Sequence, residues 1–182
     1  MDVPITVKKM INENDIFFKY QIENFYLHKE NIISLIKTAE GITTNEGGEC
    51  VSYTDRYQGD NNKRKYVKYL EKNILKKFFK SFTNDNNLKT ITVENLWFHL
   101  YKKNSYDSPH THPGANFTNI LYVSLPNKNV NTKIFTLSKK QLNIEINEGM
   151  ILSFPGFLPH GSPINTCNDE KIIISFNTNV TI

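Results

Sequence analysis

Two periodicities divide this chain. From Glu30 to Glu40, Ile32, Ile33, Leu35 and Ile36 fall on one helical stripe, and Gly41 supplies a stop. A second amphipathic helix is expected over about Asn62–Phe82, where Val67, Leu70, Ile74, Leu75, Phe78 and Phe82 recur at helical spacing before Asn84–Asn87 break it. Ile16–Gln21 suits a short strand. Thr43–Gly59 is rich in Gly, Glu, Asp, Thr and Tyr, and reads as a loop with a short strand around Val51–Tyr53. After Leu88 the period falls to two. Short runs of β-branched and aromatic residues occupy Thr90–Tyr101, Asn119–Leu125, Lys133–Thr136, Leu142–Ile146, Met150–Phe154 and Ile172–Thr178. Turn signals separate them at Pro109, Pro113-Gly114, Pro126-Asn127, Glu148-Gly149 and Pro155-Gly156.

Many short strands in one stretch, with helices before them, predict a mainly β fold with flanking helices. A jelly roll of two facing sheets suits this count, with the helices packed on the outside of one sheet. No repeat or linker divides the 182 residues, so one domain is expected. Within it, 1–88 would form a supporting region of helices and strands, and 89–182 the jelly-roll core.

Composition changes this picture little. The chain is 38% hydrophobic and 22% charged, with a formal charge of +4. The densest basic stretch, Lys63–Lys80, interleaves Lys with Tyr, Leu, Ile and Phe. It reads as the solvated side of the second helix rather than as a nucleic-acid face. Cys50 and Cys167 stand far apart in no motif, which fits a reducing compartment and a cytoplasmic protein. Met1–Pro4 has no basic region leading into an apolar run, and no stretch approaches the roughly 20 apolar residues of a membrane helix.

The candidate chemistry lies in histidine. His28 and His99 stand alone and read as structural. His110 and His112 form Ser-Pro-His-Thr-His-Pro-Gly, and residues two apart in an extended segment project to one face. Two imidazoles converging there suit a borderline metal such as Fe(II) or Zn(II). His160 follows an apolar strand and a Pro-Gly turn, in Phe154-Pro155-Gly156-Phe157-Leu158-Pro159-His160. A strand end late in a jelly roll can lie beside one from earlier in the chain. The three imidazoles could then make a facial triangle with coordination positions left open, as a catalytic metal needs.

In these residues the segment Trp97–Asn177 resembles the 2-oxoglutarate- and Fe(II)-dependent oxygenases, and within them a subgroup from bacterial and phage genomes with a His-x-His-Pro stretch. The resemblance rests on His110-Thr111-His112-Pro113, Leu121-Tyr122-Val123-Ser124-Leu125-Pro126, Phe154-Pro155 before His160, and Ile174-Ser175-Phe176-Asn177. It implies a cupin-like double-stranded β-helix with Fe(II) near its mouth. It further implies 2-oxoglutarate chelating that metal and a cation on a later strand meeting the distal carboxylate. Lys171 occupies the place of the family's usual arginine; it brings a charge without a bidentate fork. Ile173 stands where the family has serine, and Thr118-Asn119 where Ser-Gly is common. Tyr101, Tyr106 and Tyr122 could add hydroxyls to the co-substrate site. Most such enzymes carry a carboxylate where His112 stands, and Asp107 is the alternative ligand or a partner orienting an imidazole.

The implied activity is hydroxylation of a protein side chain or a small metabolite. Two rivals remain: a three-histidine, cupin-like metalloenzyme without 2-oxoglutarate, and a non-catalytic binding module on the same scaffold. The oligomeric state is open, a homodimer included.

Overall fold

The computed structural model describes residues 5–8, 17–46, 49–57 and 64–182. Met1–Pro4, Ile16, Gln58, Gly59, Asn62 and Lys63 lie outside them, and so does the side chain of Cys50. The elements in order are β1 (Ile5–Lys8), β2 (Phe18–Ile22), α1 (Tyr26–Lys37), β3 (Ile42–Glu46) and β4 (Glu49–Thr54). Then follow α2 (Lys65–Leu70), a π-helical turn (Glu71–Leu75) and α3 (Lys76–Asp85). The rest is β: β5 (Thr90–Tyr101), β6 (Asp107–His110), β7 (Phe117–Ser124), β8 (Lys133–Phe135), β9 (Gln141–Leu142), β10 (Met150–Pro155), β11 (His160–Ser162) and β12 (Lys171–Thr181).

Two antiparallel sheets form. The larger runs β1-β2-β10-β7-β12-β5-β4-β3, and the smaller β6-β11-β8-β9. This is the expected jelly-roll arrangement with helices on one outer face. The long partners β5 and β12 pair from Lys171↔Tyr101 to Thr181↔Thr90, and β7 flanks β12 on its other side.

The two-residue period of these central strands sorts their side chains into two layers. Leu96, Phe98 and Leu100 of β5, Leu121 and Val123 of β7, and Ile172, Ile174 and Phe176 of β12 join the helices in one apolar cluster. There Ile32 and Ile36 of α1 meet Val67, Leu70, Ile74, Phe78 and Phe82. Lys65, Lys68, Lys72, Lys76 and Lys80 stay exposed on the helices' outer side, as the amphipathic pattern requires. The alternate residues face the second sheet. Tyr101, Ile120, Tyr122 and Ile173 join Leu152, Phe154 and Leu158 in a second cluster between the sheets.

Several boundaries differ from the sequence reading. Thr43–Gly59 is not mainly loop: the strand expected around Val51–Tyr53 forms as β4 and pairs with β3 in a hairpin at the sheet edge, where β4 pairs with β5 at Tyr53 and Thr54. An edge hairpin with one mostly solvated face needs no apolar alternation, so its polar composition hid it. The strand expected over Leu142–Ile146 shrinks to Gln141–Leu142. Helix α1 begins four residues before Glu30 and ends before Glu40. The short strands β6 and β11, rich in Pro, His and Gly, carry no β-propensity signal and form by pairing with each other.

A buried polar knot ties the hairpin to the helices. Asp55 accepts from Tyr66 Oη at 2.6 Å, Arg64 Nη1 at 3.2 Å and the Phe98 backbone N–H at 3.0 Å. The ion pair is buried on both sides, so removing one partner would strand the other charge.

Phe78 is fully buried against Tyr20, Phe82 and Phe176, at centroid distances of 5.1, 5.6 and 5.7 Å. Phe78→Ala is expected to cost about 3–5 kcal/mol of stability through transfer and cavity terms, read as a lower urea midpoint.

Candidate metal centre

Strand pairing assembles the site. His160 opens β11 and pairs directly with His110, the last residue of β6. Two glycines permit the approach. A Cβ at Gly161 would come within 2.6 Å of the Asp107 carbonyl oxygen, and one at Gly156 within 2.6 Å of that of His112. With Gly156 bare, its carbonyl accepts from the His112 N–H at 2.7 Å, which fixes the chain just past β6.

The three imidazoles come together. One ring nitrogen from each of His110, His112 and His160 lies within 4.8 Å of the others. Two rings are held by the same device. Nδ1–H of His110 donates to the Ser108 carbonyl at 2.8 Å, and Nδ1–H of His160 to that of Leu158 at 3.0 Å. This tautomer leaves Nε2 with its lone pair, the form a metal takes.

His112 is held differently. Its Nδ1 lies 2.8 Å from the side-chain amide nitrogen of Asn177, whose Oδ1 accepts from Thr118 at 3.2 Å. With the amide nitrogen donating, the His112 proton sits on Nε2. Turning the amide over lets Nδ1–H donate to Oδ1 and Nδ2 donate to the Thr118 hydroxyl, and Nε2 is freed. The hydroxyl serves either arrangement because it donates and accepts. Trp97 stacks on His112 at 5.6 Å and 14°.

Burial also keeps two of the rings neutral. It pushes His112 down to about 3, with His160, His110 and Arg56 adding to the shift. It pushes His160 down to about 4 against the opposing hydrogen bond to Leu158. Neutral imidazoles at ordinary pH are the donor set of Fe(II), Zn(II) or Ni(II). Asp107 sits apart from the cluster: its carboxylate is 3.8 Å from Nδ1 of His110, the anchored nitrogen, and accepts from the Tyr101 hydroxyl.

Lys171 begins β12 opposite Tyr101 and is fully buried. Its Nζ donates to Ser162 Oγ at 2.8 Å and stands 5.1 Å from the Tyr101 ring centre. Burial pushes its ammonium down to about 7, partly offset by Asp107. Tyr122 lies opposite Ile173 on β7, on the same face as Lys171. The buried Tyr122 and Thr132 hydroxyls have no hydrogen-bond partner but each other among the described residues. Buried hydroxyls in the same interior layer as a buried ammonium suit a carboxylate. Tyr106 is half-buried just before β6, and of the predicted co-substrate residues Tyr101 lines the cavity at the histidines while Tyr106, Tyr122 and Lys171 do not.

That cavity is bounded by Trp97, His99, Tyr101, Thr132, Ile173 and Ser175 with the three histidines, and encloses about 20 Å3. This is room for about one water.

No family model matches the sequence, and no curated protein matches it either. Solved structures do. A 2OG-Fe(II) oxygenase-family oxidoreductase from Burkholderia pseudomallei superposes with a TM-score of 0.73 at 9% identity, over 92% of this chain and 86% of that one. The viral collagen prolyl hydroxylase vCPH from Paramecium Bursaria Chlorella virus-1, in complex with 2OG, gives 0.62 at 15% identity over 93% and 98%. HygX from Streptomyces hygroscopicus, with nickel, 2-oxoglutarate and hygromycin B, gives 0.66 at 8% over 92% and 84%.

The chain has the fold of 2OG-Fe(II) oxygenases. At these identities the likeness establishes the architecture. Within it, the histidines read from the sequence converge, as do Lys171, Tyr101 and Tyr122 on the interior face.

Four further residues were given no site role from the sequence: Asn177 and Thr118 at His112, Ser162 at Lys171, and Thr132 beside Tyr122. Asn177 closes a motif quoted above, and its two-residue spacing from Ser175, Ile173 and Lys171 was the available signal. The others depend on cross-strand neighbours. His99, read as structural, lines the cavity, accepts from Trp97 Nε1 at 2.7 Å and contacts Ser52 Oγ at 2.9 Å. Burial holds its imidazole well below the usual range.

Asn177→Leu, which cannot orient the His112 ring, is expected to weaken Co(II) binding by about 10–100-fold. Titration of the visible Co(II) absorption checks this, and an unchanged affinity would remove Asn177 from that role.

Proposed function

We propose that this protein is a non-haem Fe(II)- and 2-oxoglutarate-dependent oxygenase of the hydroxylating type, acting on a small metabolite or a protein side chain. The observation that carries it is the triangle of His110, His112 and His160 beside a buried Lys171, at the mouth of a jelly roll. In this reading His110, His112 and His160 hold the metal through Nε2. Bound Fe(II) and 2-oxoglutarate would supply the oxidising chemistry, with the co-substrate decarboxylated to succinate.

The chain's own residues do the rest. The Ser108 and Leu158 carbonyls keep two imidazoles in the metal-binding tautomer, and Asn177 does so for the third once its amide is turned. Lys171, with the Tyr122 and Thr132 hydroxyls, receives the distal carboxylate. The Tyr101 ring and the apolar layer of Ile120 and Ile173 keep water from it. Three neutral ligands leave the metal with one negative charge fewer than a two-histidine, one-carboxylate set. The same proposal places the protein in the cytoplasm, where a free thiol such as that of Cys167 persists. Among the described residues no helix is long and apolar enough to cross a membrane.

Two observations favour a second reading, a three-histidine metalloenzyme that uses no 2-oxoglutarate. They are the imidazole of His112 where a carboxylate is usual, and the 20 Å3 cavity, which admits a five-carbon diacid only if lining side chains turn aside.

Lys171 separates the readings. Anaerobic addition of Fe(II) and 2-oxoglutarate is expected to give a visible charge-transfer band, and oxygen then gives succinate. Lys171→Ala is expected to lose the band while Fe(II) binding remains. A wild-type protein that binds Fe(II) but shows neither band nor succinate would favour the second reading.

The pH dependence has a definite sign. Lys171 carries its charge below about 7 and loses it above, while 2-oxoglutarate stays anionic throughout. Affinity for 2-oxoglutarate on the Ni(II)-loaded protein should therefore fall between pH 6.5 and 8.5, by about tenfold per pH unit at most. In Lys171→Arg, calorimetry should show the fall abolished, since arginine keeps its proton.

A further inference from the structure

A second, larger groove opens beside the histidines. It holds about 400 Å3 and is lined by Ser52, Thr54, Arg56 and Tyr57 from the β3–β4 side and by Ser108 and Thr111 from the β6 side. His99, Asp107 and His110 line both this groove and the cavity at the triangle. A molecule in the groove therefore reaches the candidate metal position past His110. Its volume falls within the roughly 300–1,000 Å3 of small-molecule sites.

The charge in the groove is unbalanced in a specific way. The sequence has two arginines among its 22 basic residues, Arg56 and Arg64. Arg64 is neutralised by Asp55 inside the knot described above. Arg56 is exposed, 4.8 Å from the Trp97 ring centre, and forms no ion pair or side-chain hydrogen bond with any described residue. The acids around it are engaged elsewhere: Asp55 by Arg64, Tyr66 and the Phe98 N–H, and Asp107 by Tyr101. Arg56 still acts on the site, since its charge helps push the His99, His112 and His160 imidazoles down.

Its position is braced. Asp55, just before it, is pinned, the Thr54 hydroxyl donates to the Phe98 carbonyl at 2.5 Å, and the Arg56 backbone N–H donates to Thr54 Oγ1 at 3.2 Å. Trp97, the ring beneath the guanidinium, stacks on His112. The cation therefore stands at the substrate side of the triangle with its N–H fork unengaged by the described residues. A guanidinium so placed suits a planar or tetrahedral oxyanion. Lys171 lies deeper, at Tyr101 and Ser162, and is a different cation.

We infer that this groove binds the carboxylate or phosphate of a metabolite-sized substrate, with Arg56 as its counter-ion. The inference names the substrate class for the oxygenase proposed above and rests on that reading.

Benzoate, phenyl phosphate and the neutral isostere benzamide test it. Each is titrated into Mn(II)- and 2-oxoglutarate-loaded protein, with broadening of the probe's proton signals as the readout, and into metal-free 15N-labelled protein. The two anions are expected to bind at least about tenfold more tightly than benzamide, as a charge-assisted contact implies. Arg56→Met should lose about tenfold or more of the anion affinity, and Arg56→Lys should keep part of it. Lys171→Ala should leave benzoate binding in place. Shifts should centre on Thr54–Tyr57 and the Trp97 indole.

Equal binding of benzamide and benzoate overturns the inference, and so does benzoate binding that survives Arg56→Met but is lost in Lys171→Ala. If Mn(II) and 2-oxoglutarate fail to bind while Arg56-dependent anion binding persists in the metal-free protein, the groove stands and the oxygenase reading falls. If both load and the anions show no preference, the reverse holds. Benzoate against phenyl phosphate then separates a carboxylate substrate from a phosphorylated one.

Discussion

The pairing of β11 with β6 is the constraint on which the site depends. It is a short, irregular pairing, His160 against His110 and Ser162 against Asp107. Neither strand has the composition to form alone. Both are admitted because Gly156 and Gly161 let two backbones approach where any side chain would collide. The 4.8 Å convergence of the triangle follows from that contact, while the two Nδ1 anchors to carbonyls two residues earlier and the stacking of Trp97 on His112 set the ring orientations.

A second constraint makes the contact durable. The central strands β5, β12 and β7 place alternate residues into two unlike layers. One face is apolar and covered by α1, α2 and α3, and that burial is the main driving force for folding. The opposite face is thereby available for chemistry, and carries Trp97, His99 and Tyr101 next to Lys171, Ile173, Ser175 and Asn177. Stability and function are separated by strand register alone. A slip of one residue would send Lys171 into the helical layer and Ile172 to the site.

The electrostatics of the interior follow from burial. His112 and His160 are neutral because water is excluded from them, and the same exclusion pulls Lys171 to about 7. Two cations then stand at different depths: Lys171 buried between the sheets, and Arg56 exposed over Trp97. In the proposed reading, three imidazole ligands and two cations leave the site short of negative charge. An anionic co-substrate inside and the anionic substrate inferred for the outer groove would supply it.

Much of this was legible in the residues. The helical stripe of Val67, Leu70, Ile74, Phe78 and Phe82, the alternation over Thr90–Tyr101, and the His-x-His spacing are local patterns, and local patterns survive folding. The resemblance around His110, His112 and His160 pointed to the fold that superposition then showed. Strand β3, the pairing of the strands at His110 and His160, and the roles of Asn177, Thr132, Ser162 and Arg56 were not legible. Each depends on a neighbour from a distant part of the chain: Asn177 meets His112 across 65 residues, and Arg56 reaches Trp97 only after β4 docks on β5. The sequence by itself determined which residues could carry the chemistry, because residue type and period are written along the chain. The tertiary structure alone decided that Asn177 holds His112 and which cation lies deep, because cross-strand partners and burial exist only once the sheets have packed together.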